Sequence, residues 1–267
     1  MNNSPIIDSH AHLTKKPLYG RGAKEQLLAD MQKTDVVTAL LMGESLSNSI
    51  WFSTKELLKA IEDQPHLKVV AGIDTDGDIK QQLKEYAHYI KEKKIVGFKL
   101  YPGYQYFYPA DAKLAPLYEA AARWKIPVVI HTGDLFTEDA SQPPLLRYSH
   151  PLNVDEAAAL HPDVTFIIAH LGNPWLTDAT EVVYKNPNVY ADLSGIITSE
   201  ATLEYITLVT KKLKEAITYL GSAEKLLFGT DWPLIDHEEY LAFFKHVIPK
   251  KDQEAFFSGN AKRLFKI

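Results

Sequence analysis

Val164-Thr165-Phe166-Ile167-Ile168-Ala169-His170 is a short apolar run that ends on a histidine. Other runs of the same kind lie along the chain at residues 6–7, 36–41, 69–73, 95–100, 127–131, 189–193 and 226–231. Continuous β-branched and apolar runs of this length are typical of parallel strands that are covered on both faces. The sequence therefore predicts a sheet of eight parallel strands.

Segments with helical spacing separate these runs. Ile79, Leu83, Tyr86 and Ile90 recur at intervals of three and four residues, and residues 203–220 repeat this pattern over the longest stretch. Strands that alternate with helices form βαβ units and a parallel sheet. Because eight such units fill the 267 residues without a linker, we expect one α/β domain over residues 1–267. A closed (β/α)₈ TIM barrel fits this length better than an open doubly wound sheet.

The composition excludes several kinds of partner and site. With 29 basic and 34 acidic side chains the formal charge is −5, which gives no reason to expect nucleic acid or an anionic membrane as a partner. The absence of cysteine excludes disulfides, thiolate metal ligands and thiol catalysis. The sequence also lacks G-x-S-x-G, Walker and G-x-G-x-x-G motifs. Without a signal peptide or a membrane-length apolar run we expect a cytoplasmic protein that binds a small molecule, as a monomer or a homo-oligomer.

Polar side chains close five of the eight runs. These side chains are His10 and His12 after the first run, Lys99 in the fourth, His131 in the fifth, His170 in the sixth and Asp231 in the last. The carboxyl ends of the strands of a barrel meet at one face, and the period of two points both histidines of a His-x-His pair the same way. Imidazole and carboxylate groups are ligands of divalent metals, and a buried lysine among them is costly unless it has a role. Although His-x-His alone is a weak signal, the whole set predicts a metal site.

Six segments of the chain resemble the amidohydrolase superfamily, and most closely its amidohydrolase-related branch of metal-dependent hydrolases with a TIM-barrel fold. They are IDSHAH at residues 7–12, GFKLYP at 97–102, VIHTG at 129–133, IIAHLG at 167–172, LFGTDWP at 227–233 and GNAKRLF at 259–265. Their order and spacing extend the resemblance from residue 6 to the last residue.

The resemblance implies a role for each polar strand end. His10 and His12 correspond to the paired first-strand ligands, His131 to the fifth-strand ligand and His170 to the sixth-strand histidine. Asp231 corresponds to the aspartate that contacts the metal and moves the proton. Lys99 corresponds to a lysine that is carbamylated and bridges two metals in dihydroorotase-like and phosphotriesterase-like members, whereas many members of this branch use one metal and lack it. We therefore expect one or two divalent ions, with zinc first and manganese or iron as alternatives.

Three functions are compatible with these features. The first is hydrolysis of a C–N or C–O bond in an amide, lactone or ester, by a water that the metal activates, with Asp231 and His170 as catalytic residues. The second is the non-oxidative decarboxylation of a small aromatic or unsaturated acid, which the resemblance also allows. The third is a barrel that binds a ligand or a metal without catalysis. Lys99 favours hydrolysis, because it completes a water-activating site for two metals.

Candidate substrate contacts come from residues near the strand ends. Tyr101 begins an aromatic loop after the fourth run, and Trp175 and Trp232 follow the sixth and eighth runs. Aromatic side chains there suit a flat, apolar-bodied substrate, or they only cover the mouth of the barrel. Arg147 is either a clamp for a substrate carboxylate or a surface arginine. Asp192 is either a polar contact or a strand-end cap.

Overall fold

The eight apolar runs form eight parallel strands in the computed structural model, which describes residues 5–18, 20–46, 49–136 and 142–267. The strands are β1 (Ile6–Ala11), β2 (Val36–Met42), β3 (Leu67–Gly72), β4 (Ile95–Leu100), β5 (Val128–Ile130), β6 (Phe166–Ile168), β7 (Val189–Asp192) and β8 (Leu226–Leu227). Each strand pairs with the next one in the chain, from β1 through to β8. This sequential order and parallel pairing confirm the predicted barrel.

Backbone hydrogen bonds between β1 and the residues that follow β8 bring the two edges of the sheet together. The Ser9 amide donates to the Phe228 carbonyl at 2.9 Å, and the Asp231 amide donates to the His10 carbonyl at 2.8 Å. A further bond joins the His12 amide to the Trp232 carbonyl at 2.8 Å. The barrel is thus nearly closed, and the closing seam runs directly beside the His-x-His pair.

Helices lie between the strands. They are α1 (Ala23–Gln32), α2 (Thr54–Ala60), α3 (Ile79–Lys91), α4 (Ala115–Trp124), α5 (Leu146–Ser149), α6 (Asn153–Leu160), α7 (Leu176–Lys185), α8 (Leu203–Leu220), α9 (His237–Val247) and α10 (Asn260–Phe265). Short 3₁₀ turns occur at Ala112–Leu114, Ala169–Gly172 and Lys250–Asp252, and one π-helical turn at Ala255–Gly259. In the described parts of the chain, no helix combines the length and the apolar character that a membrane crossing requires.

The helical periodicity of the sequence agrees closely with the observed bounds. α8 covers residues 203–220 as predicted, because the Thr202 hydroxyl accepts the Tyr205 amide at its start and Gly221 adopts a left-handed φ of 80° at its end. α3 begins where the Asp78 carboxylate accepts the Gln81 amide. Side-chain caps of this kind satisfy amides that the first helical turn leaves without partners.

Two apolar clusters lie on the two sides of the strands. Alternate strand residues such as Ile6, Val128 and Phe166 pack against the helices. Their neighbours Val129 and Ile167 belong to a separate inner cluster, which is completed by Ile7, Leu40, Met42, Val70, Val96, Ala169, Leu227, Ala261 and Phe265. Because the last two residues belong to α10, this helix closes the barrel interior at one end. The polar strand ends lie at the other end, where β1, β4, β5, β6 and β8 terminate.

Candidate metal centre

The carboxyl ends of β1 and β8 bring His10, His12 and Asp231 together. The Asp231 Oδ1 atom lies 3.2 Å from His12 Nε2 and 3.5 Å from His10 Nε2. One potential ligand atom from each of these three residues falls within 4.8 Å of the other two. His10 and His12 therefore point to the same place, as the period of two predicts, and they meet Asp231 there although it is more than two hundred positions away in sequence.

The backbone leaves the strand conformation at the two residues that end the sixth and eighth runs. Asp231 has a φ of 62° and His170 has a φ of 60°, a left-handed conformation that non-glycine residues rarely adopt. The bond from the Asp231 amide to His10 holds this turn in place. Strained residues of this kind are found where the surrounding structure fixes a functional side chain. The turns aim both side chains back toward β1.

Asp192, at the end of β7, orients the ring of His10. Its Oδ2 atom accepts from His10 Nδ1 at 2.9 Å, so the proton of the neutral ring is on Nδ1 and Nε2 keeps its lone pair. Burial, followed by the charge of Lys99, lowers the pKa of His10 to about 4. Although burial alone would raise the pKa of Asp192, the charge and hydrogen bond of His10 bring it below its usual value. His10 is thus a neutral candidate ligand at pH 7.

A second buried network connects β1 to the loop after β8. The Asp8 carboxylate accepts the His10 amide at 3.1 Å and the Thr230 amide at 3.0 Å. It also accepts the Thr230 hydroxyl at 2.6 Å and His237 Nε2 at 3.0 Å. Asp8 and His237 are fully buried. Through these bonds one carboxylate fixes the residues on either side of the closing seam.

His170 and His131 face each other with ring centroids 5.1 Å apart. His170 Nδ1 lies 2.9 Å from the Ser194 hydroxyl and 3.9 Å from Asp231 Oδ2. His131 Nε2 donates to the Asp134 carbonyl at 2.9 Å, which leaves Nδ1 as its free acceptor. Burial is the largest cause that lowers the pKa of both rings, so both are neutral at pH 7.

The predicted ligands do not form a single group. Among the described residues, His10 and His170 group with Asp192, and His131 belongs neither to that group nor to the group of His10, His12 and Asp231. The bond between His10 and Asp192 already uses one nitrogen of that ring. The group of His10, His12 and Asp231 is therefore the more open one, and His131 and His170 flank it.

Lys99 projects from β4 into the same place. Its side chain is fully buried, and its Nζ atom lies 3.4 Å from His10 Nε2. Burial lowers the pKa of Lys99 to about 8, against the opposing charges of Asp192 and Asp231. The neutral amine is therefore accessible close to neutral pH.

A cavity of about 280 Å³ opens beside these side chains. The lining residues are His12, Glu44, Leu46, Ser49, Ile50, Trp51, Tyr101, Tyr104, His131, Phe136, His170, Asp231 and Leu234. Tyr101, a predicted substrate contact, lies in this wall with its hydroxyl donating to the Gly43 carbonyl at 3.1 Å. The cavity joins the candidate ligands to a largely aromatic and aliphatic surface, as small-molecule sites commonly do.

The structure places the other three predicted substrate contacts outside this wall. Arg147 is exposed, and its guanidinium lies over the Tyr148 ring, 4.7 Å from the ring centroid. Trp175 packs against His150 with centroids 4.6 Å apart. Trp232 is 2% exposed, and its indole N–H donates to Asp30 at 3.2 Å. Arg147 is a surface arginine, in line with its alternative interpretation, and the two tryptophans pack against the protein itself.

Sequence reasoning missed Glu44, Trp51 and Phe136 in the cavity wall. Glu44 had a usable signal, since it follows the second apolar run closely and thus lies at a strand end. Tyr104 belongs to the aromatic loop after the fourth run. Trp51 and Phe136 come from loops whose path the strand pattern does not determine.

The donor set fits a divalent ion. His10 offers a neutral nitrogen whose tautomer is fixed, and His12 offers a second nitrogen beside it. Asp231 is a carboxylate, because the nearby imidazoles, His170 first, and the hydrogen bond from His12 hold its pKa well below the usual value in spite of its burial. Mixed imidazole and carboxylate ligands suit zinc, manganese and iron.

The fold and the site define a class of protein, a (β/α)₈ barrel with a candidate metal centre at the carboxyl ends of its strands. The amidohydrolase family model matches residues 7–267. The chain belongs to this amidohydrolase family, which is metal-dependent. The match confirms the resemblance that the six sequence segments indicate.

Solved structures share the whole fold at low sequence identity. A TIM-barrel protein from Bordetella bronchiseptica, described as uncharacterized, is 20% identical with a TM-score of 0.78, covering 98% of this chain and 99% of its own. A probable 2-pyrone-4,6-dicarboxylic acid hydrolase from Acinetobacter baumannii is 18% identical with a TM-score of 0.72, covering 99% and 100%. A dihydroxybenzoic acid decarboxylase from Polaromonas with bound manganese is 17% identical with a TM-score of 0.69, covering 99% and 97%. A search of curated proteins found no significant match.

Proposed function

We propose that this protein is a metal-dependent hydrolase that cleaves a C–N or C–O bond in a small amide, lactone or ester. The observation that carries this proposal is the convergence of His10, His12 and Asp231 within 4.8 Å at the edge of a cavity of about 280 Å³. Membership of a metal-dependent family supports it.

His10 and His12 would hold the ion through their Nε2 atoms, and Asp231 would hold it through its carboxylate. His131 lines the same cavity with Nδ1 available, so it is the candidate for a fourth ligand. His170 and Lys99 would extend the site to a second ion, with Lys99 carbamylated on its neutral amine as the family resemblance implies. Zinc is the first candidate for this donor set, and the manganese in one structural neighbour keeps manganese as an alternative.

A divalent ion held by these residues would supply an activated water as the nucleophile at neutral pH, since bound divalent ions bring the pKa of a coordinated water to about 7. Asp231 is ionised and its Oδ2 atom faces His170, so it accepts the proton of the attacking water. It then returns that proton to the leaving nitrogen or oxygen. The neutral His170 ring, positioned by Ser194, polarises the substrate carbonyl or orients the water.

The experiment that tests this proposal combines metal content with turnover. Protein grown with bicarbonate and mixed divalent metals is analysed for metal per chain and assayed on lactones, amides and esters. About two metals per chain, falling to about one in Lys99→Ala, is expected for a bridged binuclear site. A content of about one that Lys99→Ala leaves unchanged would assign a mononuclear site. Protein that retains no metal would contradict the proposal.

The second candidate function is metal-dependent decarboxylation of a small aromatic or unsaturated acid. A decarboxylase with bound manganese and this chain share their fold over almost their entire lengths, and a related dihydroxybenzoate decarboxylase from Rhizobium does so with a TM-score of 0.71. Lys99 favours hydrolysis, because a buried amine 3.4 Å from a candidate ligand suits a second metal. Release of carbon dioxide from dihydroxybenzoates, without hydrolysis of any ester, lactone or amide, would favour decarboxylation over hydrolysis.

A further inference from the structure

Glu44 is the one carboxylate of the described cavity wall that is not among the candidate metal ligands. It lies just beyond the end of β2 and is 8% exposed. A carboxylate this deeply buried is costly unless hydrogen bonds or an opposite charge compensate it. The surroundings of Glu44 therefore indicate what it binds.

The protein itself satisfies one oxygen of Glu44. Oε1 accepts the Ser45 amide at 2.6 Å and the Leu46 amide at 3.0 Å. The backbone of Glu44 is also fixed, since its amide donates to the Phe52 carbonyl at 2.9 Å. On the preceding residue, Gly43, a side chain would collide with the Thr54 hydroxyl and the Gly72 amide. The carboxylate is thus held rigidly in the cavity wall.

The described part of the cavity wall supplies no lysine or arginine to pair with Glu44. Among the described lining residues, no lysine or arginine is present, and the ionisable groups are histidines, tyrosines, Asp231 and Glu44 itself. Burial raises the pKa of Glu44, and the hydrogen bonds from the Leu46 and Ser45 amides, followed by the charges of His12 and Lys99, oppose this rise without cancelling it. A bound group that donates a hydrogen bond or carries a positive charge would compensate the carboxylate, whereas a bound carboxylate would be repelled.

We propose that Glu44 determines substrate specificity by accepting a hydrogen bond from a nitrogen of the substrate. At a position away from the scissile bond, preferred substrates would therefore carry an ammonium group and not a carboxylate. This inference rests on the proposed function, because the metal ion is what holds the reacting end of the substrate. Glu44 would then select among hydrolysable compounds by the group that each carries.

Three benzohydroxamates test the inference by binding to the zinc-loaded protein. The hydroxamate anchors each compound on the metal. The first compound has an unsubstituted ring, the second carries an aminomethyl group at the meta or para position, and the third carries a carboxylate at the same position. Calorimetry is expected to show the aminomethyl compound binding roughly 10-fold or more tightly than the carboxylate compound, since a charge-assisted hydrogen bond replaces a repulsion. In Glu44→Gln the difference should fall to about threefold or less, with the unsubstituted compound unaffected.

Glu254→Gln is the matched control, because Glu254 is exposed at the start of the π-helical turn, is not among the lining residues of the cavity, and its loss changes the net charge equally. Failure of the unsubstituted compound to bind wild-type protein would overturn the metal centre and the proposed function. If the unsubstituted compound binds but the aminomethyl and carboxylate compounds bind equally well, the role of Glu44 alone would be overturned. The same holds if Glu44→Gln retains the preference for the aminomethyl compound. Should Glu44→Gln not fold, Glu44→Asp withdraws the carboxylate by one methylene and must weaken the preference for the ammonium arm.

Discussion

Replacement of Asp192 by asparagine should weaken metal binding although Asp192 is not expected to contact the metal. Its Oδ1 atom accepts three donors, which are the His170 amide at 3.0 Å, the Ser194 amide at 3.1 Å and the Ser194 hydroxyl at 2.5 Å. The NH₂ group of a side-chain amide cannot face these donors, so in Asp192→Asn the amide oxygen must take the position of Oδ1. The NH₂ group then points at His10 Nδ1.

The reversed donor forces a change of tautomer in His10. Nδ1 must accept instead of donate, so the ring proton moves to Nε2, the atom that lies 3.5 Å from Asp231 Oδ1. Metal binding through Nε2 requires the proton to return to Nδ1. The Nδ1–H group of His10 then faces the NH₂ group of the introduced asparagine without an acceptor between them. Loss of such a hydrogen-bond partner of a metal ligand costs about 10- to 100-fold in metal affinity. Because the two N–H groups oppose each other here, we expect a loss of about 100-fold, or about 2.7 kcal/mol.

The affinity is measured at pH 7 by titrating metal-free protein with zinc in competition with a chromophoric chelator. At this pH the proton does not compete for His10, because burial and then Lys99 lower its pKa to about 4. Ser194→Ala is the control, since it removes a donor to Oδ1 and leaves the bond from His10 to Oδ2 intact; it should change the affinity by less than about threefold. A folded Asp192→Asn protein that binds zinc as tightly as Ser194→Ala would refute the reasoning.

Further substitutions test the other parts of the site. Asp231→Asn should preserve the melting temperature and lower kcat by about 10²–10⁴-fold, because the amide cannot accept the proton of the attacking water; near-normal turnover would remove Asp231 from its role. Asp8→Ala should lower the free energy of unfolding by about 3–5 kcal/mol in urea titrations, because it leaves buried His237 and the Thr230 amide without their acceptor. Trp232→Phe should cost about 1–2 kcal/mol through the lost bond to Asp30 and leave KM unchanged, since this indole lies outside the cavity; a raised KM would return Trp232 to the substrate contacts.

The sequence predicts the barrel and the meeting of the strand ends because both depend on local patterns. β4 covers residues 95–100 as its apolar run does, and α8 covers residues 203–220. β8 is shorter than its run, because its partner β7 ends at Asp192 opposite Leu227, and the next amide, that of Phe228, donates to the Phe256 carbonyl instead. The end of an apolar run thus identifies the residues that face the site. It does not predict the backbone conformation of those residues.

The partners of the strand-end residues could not be read from the sequence, because they depend on side-chain directions between distant strands. Asp192 and His10 are 182 positions apart, and only the arrangement of β7 beside the closing seam makes them neighbours. Arg147 is a candidate for its charge alone, and it lies on α5 after a loop instead of at a strand end. The candidates that the structure places in the cavity wall, such as Tyr101 and His131, are those that end a buried strand.

The same seam that closes the barrel also explains why a strained residue, Asp231, is held in place as a candidate metal ligand. A left-handed φ at Asp231 costs about 1–3 kcal/mol by itself, and it persists because bonds on both sides over-determine it. The Asp231 amide is bound to the His10 carbonyl, and the preceding Thr230 is bound through its amide and its hydroxyl to Asp8. Asp8 in turn accepts the His10 amide. One buried carboxylate thus couples the first and last strands. The hydrogen bonds that close the barrel therefore also place the candidate ligands His10 and Asp231 opposite each other.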